Sequence, residues 1–292
     1  MIMLAALLIA PLFALALAKA GDGAATGAAL PDGFFNFFTT PQDIISGLGW
    51  GLGYFGMPHI IIRFMSLKSE KELRKSSVIG ISWTTIILIM SALTAIAGRL
   101  YLGEIEDSST VFITMVRRIF PALVSGLLLS AILSAAMSTA DSQLLAASSA
   151  FASDVYKPVI RKKASDSEML WAGRIVVIVI AVVALMIASD PNSGSIMGLV
   201  ENAWGVFGAA FGPVILLSLF WKRLTFGGTV AGIAAGAAVD ILWLVFLSST
   251  DIYEIVPGFA AGLLAAVVVS LLSKGPGKDV EDLFDRAVDL KS

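Results

Sequence analysis

Ala135, Ser138, Thr139 and Ser142 lie within a long apolar stretch at separations of three, four and seven residues, which places them on one face of a helix. Gln143 and the pair Ser148-Ser149 follow closely. Hydroxyl and backbone carbonyl oxygens at membrane depth suit a hard monovalent ion such as sodium, because they replace its water shell without thiolate or imidazole chemistry. The same stripe of small residues also lets two membrane helices approach and hydrogen-bond across their contact, and the residues alone leave both readings open. Ionisable groups at membrane depth are functional candidates by default, and here they are Asp141, Glu201, Asp240 and Arg63. Arg63 stands near the end of its span and can snorkel. Glu201 and Asp240 suit structural contacts near an interface or a partner helix. Asp141 follows Thr139 by two residues, so it points away from the hydroxyl face and suits an interhelical or gating contact.

The elements that must position these groups are membrane helices. The chain of 292 residues is 57% hydrophobic and 14% charged, with a mean hydropathy of +0.88, and its apolar runs are too long for a soluble core. Spans of roughly 20 residues are expected at 2–20, 43–65, 77–100, 121–151, 169–189, 195–220, 227–248 and 256–273, eight in all. The fold class is therefore an all-α polytopic membrane protein. With no Cys and His59 as its single imidazole, the chain offers no disulfide framework, thiolate metal site or thiol nucleophile. A net charge of −2 and a pI near 5.5 argue against nucleic acid as a partner. Met1 to Ala20 ends in Ala18-Lys19-Ala20 like a signal-peptidase site, but it lacks a basic start and contains Pro11, so it is read as a retained helix.

The second span should be broken near its middle. Gly47, Gly49, Gly51, Gly53 and Gly56 interleave with Leu48, Trp50, Leu52, Tyr54 and Phe55, and Pro58 follows, so a continuous hydrogen-bond ladder is expensive there. Irregular backbone at membrane depth survives where it is buried in protein or lines a wet cavity, and discontinuous helices of this kind hold substrate in secondary transporters. Trp50 and Tyr54 would bracket the break; a Gly-rich packing face with interfacial aromatics is the other reading. Residues 51–56 also match a dinucleotide fingerprint, but no strand precedes them and Pro58 follows inside an apolar segment, so that reading is rejected. Gly205, Gly208, Gly212 and Pro213 in the sixth span point to close packing or a bend. Gly228, Gly232 and Gly236 in the seventh form the small-xxx-small pattern of helix association.

Basic residues crowd alternate loops: Lys68, Lys71, Arg74 and Lys75; Lys157, Arg161, Lys162 and Lys163; Lys222 and Arg223. These loops are expected in the cytoplasm. Asp22 and Asp32, then Glu104, Glu106 and Asp107, then Asp190, then Asp251 and Glu254 mark the outer side. With Lys274 and Lys278 opening the tail, both termini are expected in the cytoplasm of a cell-membrane protein. Arg117-Arg118 departs from the pattern, in a segment (109–120) that reads as a short amphipathic surface helix ending at Pro121.

Three segments carry a family resemblance. They are Gly49-Trp50-Gly51-Leu52-Gly53-Tyr54-Phe55-Gly56-Met57-Pro58-His59-Ile60, Ser134-Ala135-Ala136-Met137-Ser138-Thr139-Ala140-Asp141-Ser142-Gln143-Leu144-Leu145 and Gly208-Ala209-Ala210-Phe211-Gly212-Pro213. Together they resemble the sodium:solute symporter family, most of all its proline carriers, and the likeness extends through Asp154-Val155-Tyr156-Lys157 and Tyr253-Glu254-Ile255-Val256-Pro257-Gly258-Phe259. The resemblance implies a partial LeuT-type inverted-repeat fold: 1–20 as the last helix of the first repeat, 43–220 as the second five-helix repeat, 227–273 as two C-terminal helices and 274–292 as a cytoplasmic tail. It implies sodium ligation by the Ala135 carbonyl and the Ser138 and Thr139 hydroxyls, the remaining ligands belonging to the family's first broken helix. It also implies substrate binding or gating at Trp50, Gly51, Gly53, Tyr54 and Pro58. Met57 departs from the glutamine expected before the Pro-His pair.

The implied activity is sodium-coupled uptake of proline or a similar small solute, with sodium as coupling ion, no other cofactor and no catalysis. Because the sodium and substrate sites of such a carrier are split between the repeats, this chain is not expected to transport alone; it reads as one half of a split carrier with a separately encoded N-terminal half as partner, as a remnant, or as a truncation. A membrane sensor would need an output module, for which the tail after Leu272 is short. An intramembrane enzyme would need a catalytic set that the residues do not offer. The tail from Asp279 to Ser292, with Val280, Leu283, Phe284, Ala287, Val288 and Leu290, reads as an amphipathic helix.

Overall fold

A computed structural model describes residues 2–21, 30–36, 40–67, 69–190 and 193–289. Met1, Asp22, Lys68, Leu290 and Ser292, named above, lie outside them. The described residues form helices α1 (Ile2–Ala20), α2 (Pro41–Gly53), α3 (Pro58–Met65), α4 (Glu70–Leu102), α5 (Val111–Ile119), α6 (Ala122–Ala150), α7 (Asp166–Ser189), α8 (Ile196–Phe220), α9 (Phe226–Phe246), α10 (Ile255–Leu272) and α11 (Lys278–Asp289). A π-helical segment, Phe151–Ile160, prolongs α6. Among the described residues seven helices are long and apolar enough to cross a membrane. The remaining expected span, 43–65, is the one that divides into α2 and α3, of 13 and 8 residues. The chain is a multi-pass membrane protein.

It forms two compact units, residues 1–36 with 67–181 and residues 37–66 with 182–292. In the first, Ala6, Ala10 and Ala14 recur every fourth residue on α1 and are fully buried. Their small side chains meet Ala97, Tyr101 and Leu102 of α4, Met115 and Val116 of α5 and Leu128 of α6. The Ser125 hydroxyl stands 3.0 Å from the Val116 carbonyl and 2.9 Å from that of Phe120, tying the start of α6 to the end of α5. Helix α5 is the expected amphipathic segment, with Met115 and Val116 buried and Arg117 and Arg118 exposed. Ahead of it, the backbone amide and hydroxyl of Ser109 donate to Asp107 Oδ1 at 2.9 and 2.7 Å. These bonds, the hydroxyl's first, hold the Asp107 carboxyl below its ordinary range.

The second unit packs α8, α9, α10 and α2 around glycines. A methyl group on Gly232 would stand 2.8 Å from Ala266 Cβ and 2.9 Å from Val214 Cγ1, and one on Gly258 would stand 2.8 Å from both Ala209 Cβ and Asp240 Cβ. Methyl groups on Gly228 and Gly236 of α9 would run into the carbonyls of Ala266 and Ala209, so these glycines are contact points between backbones. Helix α8 runs unbroken through the buried Pro213, so its glycines serve close packing. At the membrane edge Thr225 caps α9 through Gly228 N at 3.1 Å, and its own amide donates to Ser270 Oγ at 3.1 Å. The tail helix α11 is held to the loop after α8 by Lys222 Nζ and Asp285 Oδ2, 2.5 Å apart.

Replacing Gly232 with Ala should cost about 1–3 kcal/mol through overpacking, measured as a lower unfolding temperature in detergent, whereas Gly47→Ala, where the added methyl meets open space, should not. Because the Asp107 carboxyl is depressed in the folded state, its cap is present at neutral pH and is lost as pH falls through that lowered value. Protection of the Ser109 amide, taken relative to its intrinsic exchange rate, should therefore fall on acidification in the native chain and already be lost at neutral pH in Asp107→Ala.

Candidate functional site: a helix break under an aromatic cluster

Helix α2 starts with a capping box. Asp43 N donates to Thr40 Oγ1 at 3.2 Å, Thr40 N donates to Asp43 Oδ2 at 3.3 Å, and Pro41 fills the first turn. The helix stops at Gly53, residues 54–57 turn, and Pro58 opens α3. A helix end leaves its last carbonyls without intrahelical partners, and here three are accounted for. The Trp204 indole Nε1 donates to the Trp50 carbonyl at 3.0 Å, Phe55 N to that of Leu52 at 3.3 Å, and Gly56 N to that of Gly53 at 3.0 Å.

The break lies directly on α8. A methyl on Gly53 would collide with the Trp204 indole. On Gly56 it would run into the Phe207 carbonyl and stand 2.8 Å from Gly208 Cα, and on Gly208 it would stand 2.7 Å from Gly53 Cα. Only glycine allows this approach. Gly51, by contrast, faces open space, and Pro58 is exposed.

Four aromatic rings gather at the break. The Trp50 and Trp204 centroids are 6.3 Å apart, Tyr54 meets Trp204 edge-on at 4.9 Å, and Trp50 lies 5.3 Å from Tyr253. Tyr54 is 48% exposed, and Trp50 is half-buried, so the cluster has an open side. Tyr253 is the anchor: its hydroxyl donates to the Glu201 carbonyl at 2.8 Å and its amide to Ser46 Oγ at 3.0 Å, while Ser46 Oγ donates to the Asp251 carbonyl at 3.2 Å. Burial, then the nearby Glu254, pushes the Tyr253 phenol far above its ordinary range, so it remains a neutral donor. A partly exposed aromatic cluster beside unwound backbone can bind a small solute with an apolar body and a polar end.

The expected site residues thus separate. Trp50, Gly53 and Tyr54 come together with Trp204 and Tyr253, which were not among the residues expected to form the site. An indole N–H in an apolar helix must find an acceptor, and that requirement marks Trp204 in the sequence; nothing local marks Tyr253. The hydroxyl stripe stands on α6, in the first unit. Thr139 Oγ1 donates to the Ala135 carbonyl at 3.2 Å and Ser142 Oγ to that of Ser138 at 2.9 Å. Ala135 is half-buried, and Ser138 and Thr139 are exposed. Asp141 is exposed and makes no hydrogen bond or ion pair among the described residues.

Architecture places the chain among polytopic helical membrane proteins, with α2 and α3 forming one discontinuous helix. The sodium:solute symporter family model matches residues 2–236, and the chain belongs to that family. It is 43% identical to the high-affinity proline transporter PutP of Bacillus subtilis, over 100% of this chain and 63% of that protein. It is 45% identical to the osmoregulated proline transporter OpuE of the same organism, over 82% of this chain and 50% of that one, and 45% identical to the sodium/proline symporter of Haemophilus influenzae, over 89% and 54%. The chain therefore spans between 50% and 63% of the length of these relatives. Among solved structures, a substrate-bound, outward-open Na+-coupled sialic acid symporter superposes with a TM-score of 0.68 at 19% identity, covering 94% of this chain and 60% of that one. The fold is part of the LeuT-type inverted-repeat architecture.

Replacing Trp204 with Phe keeps a ring but leaves the Trp50 carbonyl unpaired, which should cost about 1–3 kcal/mol. Hydrogen exchange should then accelerate across residues 50–57 more than across α9.

Proposed function

We propose that this chain supplies the second-repeat part of a sodium-coupled carrier for proline. The observation that carries the reading is the broken helix α2–α3 with its partly exposed aromatic cluster; the names of relatives at 43–45% identity supply the solute and the ion. In this reading residues 1–20 are the last helix of the first repeat, 43–220 the second repeat, 227–273 two further helices and 274–292 a tail, with both termini in the cytoplasm. In the complete carrier the first repeat supplies the remaining sodium ligands, and the chain is not an enzyme.

Trp50 and Tyr54 form the floor for the solute ring, with Gly51, Gly53 and Pro58 shaping or gating the opening beside it. Ala135, Ser138 and Thr139 supply oxygens to sodium. The Ala135 carbonyl and Thr139 hydroxyl oxygens, 3.2 Å apart, have a spacing on the order of that between adjacent ligands of a hard cation. The Thr139 proton is directed at that carbonyl, and the hydroxyl lone pairs remain for the ion. Ion and solute drive uptake because both stabilise the outward-open state, after which the loaded carrier rocks inward; coupling is differential binding, with no chemical step.

The test is sodium-dependent uptake of radiolabelled proline in proteoliposomes, with the chain alone and with a co-expressed first-repeat half. Uptake that requires both supports the reading; none with both, despite verified assembly, overturns it. In the assembled carrier Thr139→Val, which keeps shape but loses the oxygen, should raise the sodium concentration for half-maximal uptake roughly tenfold, equivalent to about 1.4 kcal/mol. Trp50→Ala should instead raise the proline concentration required, and an unchanged proline requirement would remove Trp50 from the solute site.

A further inference from the structure

Asp240, in the last third of α9, is fully buried, and neither of its carboxylate oxygens has a hydrogen-bond partner among the described residues. Glu254, just ahead of α10, is 7% exposed, and its Oε1 is likewise unpartnered. Both side chains are aimed at the same gap over Gly205 of α8. A methyl group on Gly205 would stand 3.1 Å from Asp240 Oδ1 and 3.2 Å from Glu254 Oε1. The two oxygens are therefore no more than about 6 Å apart, within the range where like charges oppose each other's ionisation.

The surroundings offer no compensating charge. Among the described residues neither carboxylate forms an ion pair. The other titratable groups nearby are Glu201, whose charge acts on Glu254, and Tyr253, on which all three carboxylates act. Helix α2 packs against α8 and α10, and its only ionisable side chain, Asp43, caps its first turn. Leaving an unpaired carboxylate buried is among the costliest arrangements a protein can hold, and such a group ordinarily becomes neutral. Burial also holds the Glu254 carboxyl, outside the spans, above its ordinary range.

We infer that Asp240 and Glu254 form a proton-binding site beside Gly205, in which at least one of the two carboxyls carries a proton at neutral pH. Among the described residues no group of three or more acidic or imidazole side chains is placed to hold a metal ion, whereas a single carboxylate suffices for a proton. The site lies one residue from Tyr253, so its occupancy sets the charge beneath the aromatic cluster. It does not depend on the carrier reading or on the residues assigned to sodium.

Infrared spectroscopy of the purified chain in detergent tests this directly, because a protonated carboxyl has a C=O stretch well separated from carboxylate bands. At neutral pH, with sodium present or replaced by choline, the native chain should show a buried carboxylic-acid band. Asp240→Asn or Glu254→Gln should remove or shift it. If either variant fails to fold, aspartate or glutamate labelled with carbon-13 at the side-chain carboxyl tells which residue type carries the proton in the native chain, and Asp240→Glu or Glu254→Asp, which keep a carboxyl, should place it on the pair by shifting the band. Absence of the band at neutral pH would overturn the inference, as would a band that appears only when sodium is withdrawn or one that neither label moves.

Discussion

Backbone that leaves a helix inside an apolar medium has to find hydrogen-bond partners in its neighbours, and in this protein one helix meets that demand. The carbonyl of Trp50 accepts from the Trp204 indole, and the turn that follows closes its own short bonds. That solution requires α8 to lie against the break at backbone distance, which in turn requires Gly53 and Gly56 on one side and Gly208 on the other. The position of α8 also fixes which of its residues meet α9 and α10. The glycines of α8, α9 and α10 therefore form one continuous requirement with those of the break.

The aromatic cluster follows from the same contact. Trp204 is placed by its hydrogen bond to the break, and its ring then becomes a wall for Tyr54 and Trp50. Tyr253 closes the far side because Ser46 and the Glu201 carbonyl hold its two polar groups. Polar anchoring thus decides where apolar surface is presented, a division of labour suited to a site that must be rigid in shape and undemanding in charge. Asp240 and Glu254 beneath it are the exception, two acids where the packing provides no base.

The helical class, the position of the break and the role of the α9 glycines were legible in the sequence because each follows from local composition: long apolar runs, alternating glycine before Pro58, and glycine at every fourth position. The amphipathic α5 and α11 were legible for the same reason. The partners of the break were not. Trp50 and Trp204 are joined across 154 positions and Ser46 and Tyr253 across 207, and no periodicity encodes pairings of that range. Asp240 and Glu254 were visible as acids, and Asp240 invited a structural reading near a partner helix. Their convergence on Gly205 depends on three helices at once, so the sequence could not reveal it. For the hydroxyl stripe, helical spacing placed Ala135 and Thr139 on one face of α6, and the Thr139 hydroxyl bonds the Ala135 carbonyl along it.

Ser46 uses a single hydroxyl in two directions, accepting from the Tyr253 amide and donating to the Asp251 carbonyl. Its helix is thereby riveted to the segment leading into α10 and, through Trp50, to α8. Mechanically, α2 belongs to a body assembled from distant parts of the chain, while its covalent continuation α3 begins beyond a four-residue turn. A displacement of α2 has to carry the α8–α10 assembly with it as one lever, and the bending compliance between α2 and α3 is concentrated in the peptide units of residues 54–57.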